Sequence, residues 1–111
     1  MGETDSAELL RGTLDLLILR ALVSGPRHGY AVAHYLKTAS EDVLQVGESS
    51  LYPALQRLLL RGWVKAQWGV SENNRRARYY TLTAAGRKQL EAERAEFDRI
   101  VVAIHKVLAM P

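Results

Sequence analysis

Arg75, Arg76 and Arg78 crowd three guanidinium groups into four consecutive positions, and such forks match the oxygens of phosphate groups. Upstream, Ser49, Ser50, Tyr52, Pro53, Gln56 and Arg57 form a second group with different chemistry. The serines are small enough to let a backbone approach a surface closely, and Tyr52 and Gln56 can hydrogen-bond base edges or phosphates. Between Ser49 and Leu90 stand eight basic residues, Lys65 among them, against the single acid Glu72. That stretch carries +7, and since the chain carries +3 in total, the remainder carries −4. A solvated face of ion pairs would need acids here, and they are missing. Clustered cations without acidic neighbours call for a polyanion, and nucleic acid is the first to test.

Other chemistries find little support. The 111 residues include no cysteine, which removes disulfide frameworks, thiolate metal sites and cysteine nucleophiles together. His34 and His105 stand apart from acids at metal-ligand spacing, so neither a metal nor another cofactor is expected. His28, beside Gly29 at a helix start, suits either a phosphate contact or a helix cap, and Tyr30 follows on the same turn. The acids lie mainly near the N-terminus and in the last segment, at spacings that read as solvated surface, so no enzyme is expected. Hydrophobic content of 48% with 24% charged residues is the balance of a folded domain. The longest apolar stretch, from Leu14 to Val23, contains Asp15 and Arg20 and falls short of the roughly 18 residues a membrane span requires. Residues 1–5 are polar and acidic, unlike a signal peptide, which leads to the expectation of a cytoplasmic protein.

These groups need elements to hold them. Leu10, Leu14, Leu17, Ile18, Ala21 and Leu22 recur at three- and four-residue steps and predict a first helix over residues 7–24, closed by Ser24, Gly25 and Pro26. A short second helix follows Gly29, and Val43, Leu44 and Val46 predict a brief extended piece. Leu51, Leu55, Leu58 and Leu59 give a third helix one inward stripe, with Ser49, Pro53 and Gln56 opposite and Tyr52, Ser50 and Arg57 on the flanks. Leu60 also falls near that polar face, a misfit. Pro53 places the start of this helix near Ser49 or Ser50. The period then changes to two: residues 63–68 and 77–82 read as strands of a β-hairpin whose tip carries the arginines. Tyr79 and Tyr80 face opposite sides, so at least one of them belongs to the core, and Trp63 and Trp68 read as packing residues. Thr83 predicts the N-cap of a long last helix.

Three helices, a hairpin and a helix is the order of a winged helix-turn-helix, a mainly α fold with a small β-hairpin. The division expected is a polar tail over residues 1–8, the winged helix over 9–83, and a C-terminal dimerisation helix over 84–111. Phe97, Ile100, Val101, Ile104, Val107 and Leu108 form an apolar stripe on that last helix. A stripe on a helix that projects past a domain with its own core needs a partner, and a second copy is the simplest. Leu9, Leu10 and Leu14 are the first-helix residues it is expected to pack against, from its own or the other subunit. Double-stranded DNA is the expected partner, since a helix fits the major groove and a hairpin reaches the adjacent backbone. A winged helix that mediates only protein–protein contacts is the alternative.

The chain also resembles a family. The runs Leu10-Arg11-Gly12-Thr13-Leu14-Asp15-Leu16-Leu17-Ile18-Leu19, His28-Gly29-Tyr30 and Gly47-Glu48-Ser49-Ser50-Leu51-Tyr52-Pro53-Ala54-Leu55 look like the PadR family of bacterial transcriptional regulators. Arg61-Gly62-Trp63 and the segment from Glu72 to Thr83 match as well, so the likeness extends over about residues 9–90. It implies a dimeric winged-helix repressor on a short two-fold-symmetric operator, of the group with a single C-terminal helix. It implies further that some relatives bind aromatic drugs at the dimer interface, so an unidentified small-molecule effector is a candidate partner. The last helix here offers Phe97 and no tryptophan for that purpose.

Overall fold

The computed structural model describes residues 13–111. In chain order these form helix α1 (Leu14–Ala21), strand β1 (Arg27–His28), helix α2 (Gly29–Ala39), helix α3 (Glu48–Leu60), strands β2 (Val64–Val70) and β3 (Arg76–Leu82), and helix α4 (Ala84–Leu108). The strands form an antiparallel sheet in the order β1-β3-β2. This is a mainly α winged helix-turn-helix, with β2 and β3 as the wing.

One core joins α1, α2, α3 and the base of the sheet. Ile18, Leu19 and Leu22 meet Val32 and Leu36 of α2 and Leu51, Leu55 and Leu58 of α3, with Val64 and Tyr80 closing the sheet side. Each fully buried aliphatic side chain here stabilises the fold by about 1.5–3 kcal/mol. Arg57 of α3 reaches Asp15 of α1 at 2.9 Å, a partly exposed pair that adds on the order of 1 kcal/mol and links the outer face of α3 to α1.

The end of α3 and the start of α4 are built as one joint. Arg61 caps α3, Gly62 adopts φ +76°, and the N–H groups of Gly62 and Trp63 return to the carbonyls of Leu59 and Leu58. That is a Schellman ending, and its left-handed position favours glycine. Thr83 then donates its hydroxyl hydrogen to the Gly62 carbonyl at 2.7 Å while its oxygen accepts from the Gly86 N–H at 3.0 Å. Thr83 is therefore the N-cap of α4, as its sequence position suggests. A methyl group on Gly86 would overlap the Trp63 carbonyl, which as backbone cannot yield, and would lie 2.7 Å from Leu82 Cδ1. Gly86→Ala is thus expected to destabilise the fold by about 2 kcal/mol, seen as a thermal midpoint lower by on the order of 10 °C. An unchanged melting curve would show that the joint is slack.

Sequence expectation and structure differ in several places, and α1 ends at Ala21 rather than at residue 24. Of the piece expected to be extended, Val43 lies in the turn and residues 44–47 pair with no strand: Glu41 and Asp42 take positive φ and the Asp42 N–H folds back to the Lys37 carbonyl. Periodicity does not predict β1, because two residues carry none; its pairing of Arg27 with Tyr80 and His28 with Tyr79 makes a three-stranded sheet of the hairpin. The wing is longer than expected, reaching Val70 and restarting at Arg76. Finally, α3 begins at Glu48, so Pro53 lies in its second turn and cannot donate to the Ser49 carbonyl.

Leu14, one of the residues the last helix is expected to pack against, is 7% exposed within its own chain's core, and α1 packs there against α4 as well as α2 and α3. Leu9 and Leu10 lie outside the described residues. α4 is about 37 Å long at 1.5 Å per residue. Its first turns are anchored by buried Gly86, by Leu90 against the core, and by Arg87 donating to the Val23 carbonyl at 3.5 Å. Beyond them Phe97, Ile100, Ile104, Val107 and Leu108 are exposed and Val101 half-buried, with Ile104 at 49% and Val107 at 70%. No helix among the described residues is long and apolar enough to cross a membrane.

Candidate nucleic-acid interface

α3 presents the face that its stripe implies. Leu51, Ala54, Leu55 and Leu58 are buried, while Ser49, Tyr52, Pro53, Gln56, Arg57 and Leu60 are exposed and Ser50 is half-buried. The Leu60 misfit is real: its side chain stands in solvent at the end of the helix. Tyr52 leans toward α2, where its ring lies against Gly29 so closely that a Cβ there would come within 2.8 Å of the ring and hydroxyl. Burial pushes the Tyr52 phenol above its usual pKa, with Glu48 and Tyr80 adding to the effect. It is accordingly a neutral hydroxyl, able both to donate and to accept.

The wing rises beside this face. A groove of about 580 Å³ separates the start of α2 and Tyr52 from the wing, and it gathers His28, Tyr30, Tyr52, Arg75, Arg76 and Arg78. Among the described residues the three arginines form no ion pair. Arg76 lies over the Trp68 ring at 4.6 Å, and Arg78 lies 6.0 Å from the Tyr80 centroid. Lys65 is exposed but belongs to the opposite face of the hairpin, since it alternates with Ala66 and pairs with Thr81.

His28 is occupied within the protein. Its Nδ1 accepts from the Ala31 N–H at 3.1 Å, capping α2, which leaves the proton of the neutral ring on Nε2. Nε2 faces the Glu72 carboxylate at 3.6 Å, and the ring meets Tyr79 edge-on at 5.3 Å. Glu72 is held below the usual carboxylate range first by its own backbone N–H and then by His28. Glu72 lines the same groove as the arginines, yet among the described residues its ion contact is with His28 at the start of α2. Tyr30 is exposed at the groove mouth and stacks on His34 at 6.3 Å, and His105 lies in the last turn of α4.

The sheet's aromatic residues divide between core and solvent. Tyr80 is the core member of the tyrosine pair at 6% exposure, and Trp63 packs partly against the core. Trp68, a packing residue by its sequence, is 56% exposed, because the sheet has left the core by that point of β2. Strand alternation puts it on the same face as Val64, and that much is written in the sequence. How far the wing projects is not.

Comparison with known proteins agrees with this geometry. The model of the transcriptional regulator PadR-like family matches residues 18–92. Uncharacterized protein X of Lysinibacillus sphaericus is 29% identical over 98 residues, covering 86% of this chain and 90% of that protein. A transcriptional regulator from Clostridium thermocellum superposes with a TM-score of 0.81 at 28% identity, over 89% of this chain and 96% of the other. A PadR family transcriptional regulator from Eggerthella lenta gives 0.79 at 27% identity, over 96% and 90%. The family match takes in α2, α3 and the whole wing, the elements that build the groove, so the chain belongs to the PadR-like family of transcriptional regulators, DNA-binding proteins and not enzymes.

Proposed function

We propose that the protein is a repressor that binds a two-fold-symmetric operator as a homodimer. The observation that carries this reading is the polar outer face of α3 set beside a wing whose arginines have no acidic partner among the described residues. In it, α3 enters the major groove, Tyr52 and Gln56 meet base edges, and Ser49, Ser50 and Pro53 allow close approach of the helix start. Tyr30, Arg75, Arg76 and Arg78 serve the phosphates or the adjacent minor groove, and Lys65, on the other face of the hairpin, adds positive charge to the wing. Arg57, through Asp15, and His28, through the α2 cap and Glu72, act mainly by holding α3 and the wing in place. Residues 9–83 form the DNA-binding unit and residues 84–111 the dimerisation helix.

Dimerisation follows from the exposed stripe on α4. One recognition helix reads only a few base pairs, whereas two joined protomers fix half-sites about one DNA turn apart. An unidentified small-molecule effector would act at the dimer interface, with Phe97 as the aromatic surface α4 offers. Selection of bound fragments from a genomic library by the purified protein tests the reading. A short inverted repeat is expected, and placing it over a promoter should lower reporter output when the protein is present. Fragments without symmetry, or a reporter that rises, would contradict the dimeric repressor.

A further inference from the structure

The groove-facing side of the wing does not look like an ordinary solvated strand face. Along β2 the residues on this side run Val64, Ala66, Trp68 and Val70, and exposure rises from 2% at Val64 to 66% at Val70. The residue types do not follow that rise. They stay apolar past the point where the core ends. Across the ladder, Trp68 pairs with Arg78 and Val70 with Arg76, so apolar and cationic side chains stand shoulder to shoulder on one face. Arg76 lies 4.6 Å over the Trp68 ring, which holds the guanidinium in place without engaging a carboxylate.

A surface alternating apolar area with guanidinium groups fits a ligand alternating apolar rings with anions at similar spacing. The sugar–phosphate backbone of a duplex has that pattern: deoxyribose faces between successive phosphates. We propose that Trp68 is a DNA-contacting residue, its indole packed against a deoxyribose of the strand seated between wing and α3, with Arg76 and Arg78 on the flanking phosphates. The inference rests on the DNA-binding reading above and extends it to a residue that neither the arginine cluster nor the α3 face includes. It also explains why a large aromatic ring is left in solvent in the free protein: its cover is the nucleic acid.

The test uses the full chain. In a Trp63→Phe background Trp68 is the single indole fluorophore, and adding a duplex is expected to quench it and shield it from acrylamide. Trp68→Ala should weaken specific and random duplex alike by about tenfold while leaving the salt dependence of binding unchanged, because no charge is removed. Trp68→Phe should keep most of the affinity, and both variants should melt near the wild type since the ring lies outside the core. Full affinity in Trp68→Ala, or unshielded Trp68 in a formed complex, overturns the proposal while leaving the DNA reading intact. Shielding that depends on protein concentration without DNA would assign the indole to a second copy instead. A wild type that binds no duplex overturns the DNA reading and this inference with it.

Discussion

Replacing Ile104 by glutamate is expected to yield a monomer that no longer holds a palindromic duplex. Ile104 lies at the middle of the exposed stripe formed by Phe97, Ile100, Ile104, Val107 and Leu108, far along a helix whose first turns already satisfy the core. A carboxylate placed in an apolar seam must be desolvated without a partner, at a cost of at least several kcal/mol, enough to separate many dimers. The change lies far from Gly86 and Leu90, so the winged helix should keep its fold and its melting transition. Sedimentation of the variant should therefore show half the mass of the wild type. Binding should fall to the level of a single half-site. A variant that stays dimeric, or a wild type that is monomeric at micromolar concentration, would mean that the stripe has another use.

Arg76→Ala with Arg78→Ala should act in another way. Both guanidinium groups stand in the groove without an acidic partner, so removing them costs little stability. In the complex, every phosphate that goes unneutralised should reduce the slope of log K against log salt by about 0.9, and a dimer carries two wings. Affinity for specific and random duplex should drop together. Tyr52→Phe or Gln56→Ala on α3 should instead erode discrimination, by about 1–3 kcal/mol where the side chain reads a base. Titrations at several salt concentrations, on a selected site and on random duplex, separate the two classes. An unchanged slope in the arginine pair would remove the wing from the interface.

Most of the architecture is legible in periodicity. The stripe of α3, the change of period at Trp63 and the cap at Thr83 are local signals, and each places an element within a few residues of where it lies. Pro53 shifts the expected start of α3 by a turn at most, because a proline early in a helix removes a hydrogen bond without ending the helix. β1 and the irregular stretch after α2 are not legible: one is made by pairing with β3, the other by a chain reversal at Glu41 and Asp42. The same limit applies to the site. Residue type and spacing select Arg75, Arg76 and Arg78, whereas the engagement of His28 and Arg57 depends on Glu72 and Asp15, which only folding brings within reach. Trp68 departs from its sequence reading for the converse reason. Strand alternation gives the face of a residue but not the distance at which a wing leaves its core.

The most direct test of the account is the footprint and stoichiometry of the protein on a selected operator duplex. Two protomers per duplex are predicted, with backbone protection in two symmetry-related patches about one helical turn apart and wing-dependent protection flanking each. One protomer at saturation, or protection confined to a single unsymmetrical patch, would contradict it.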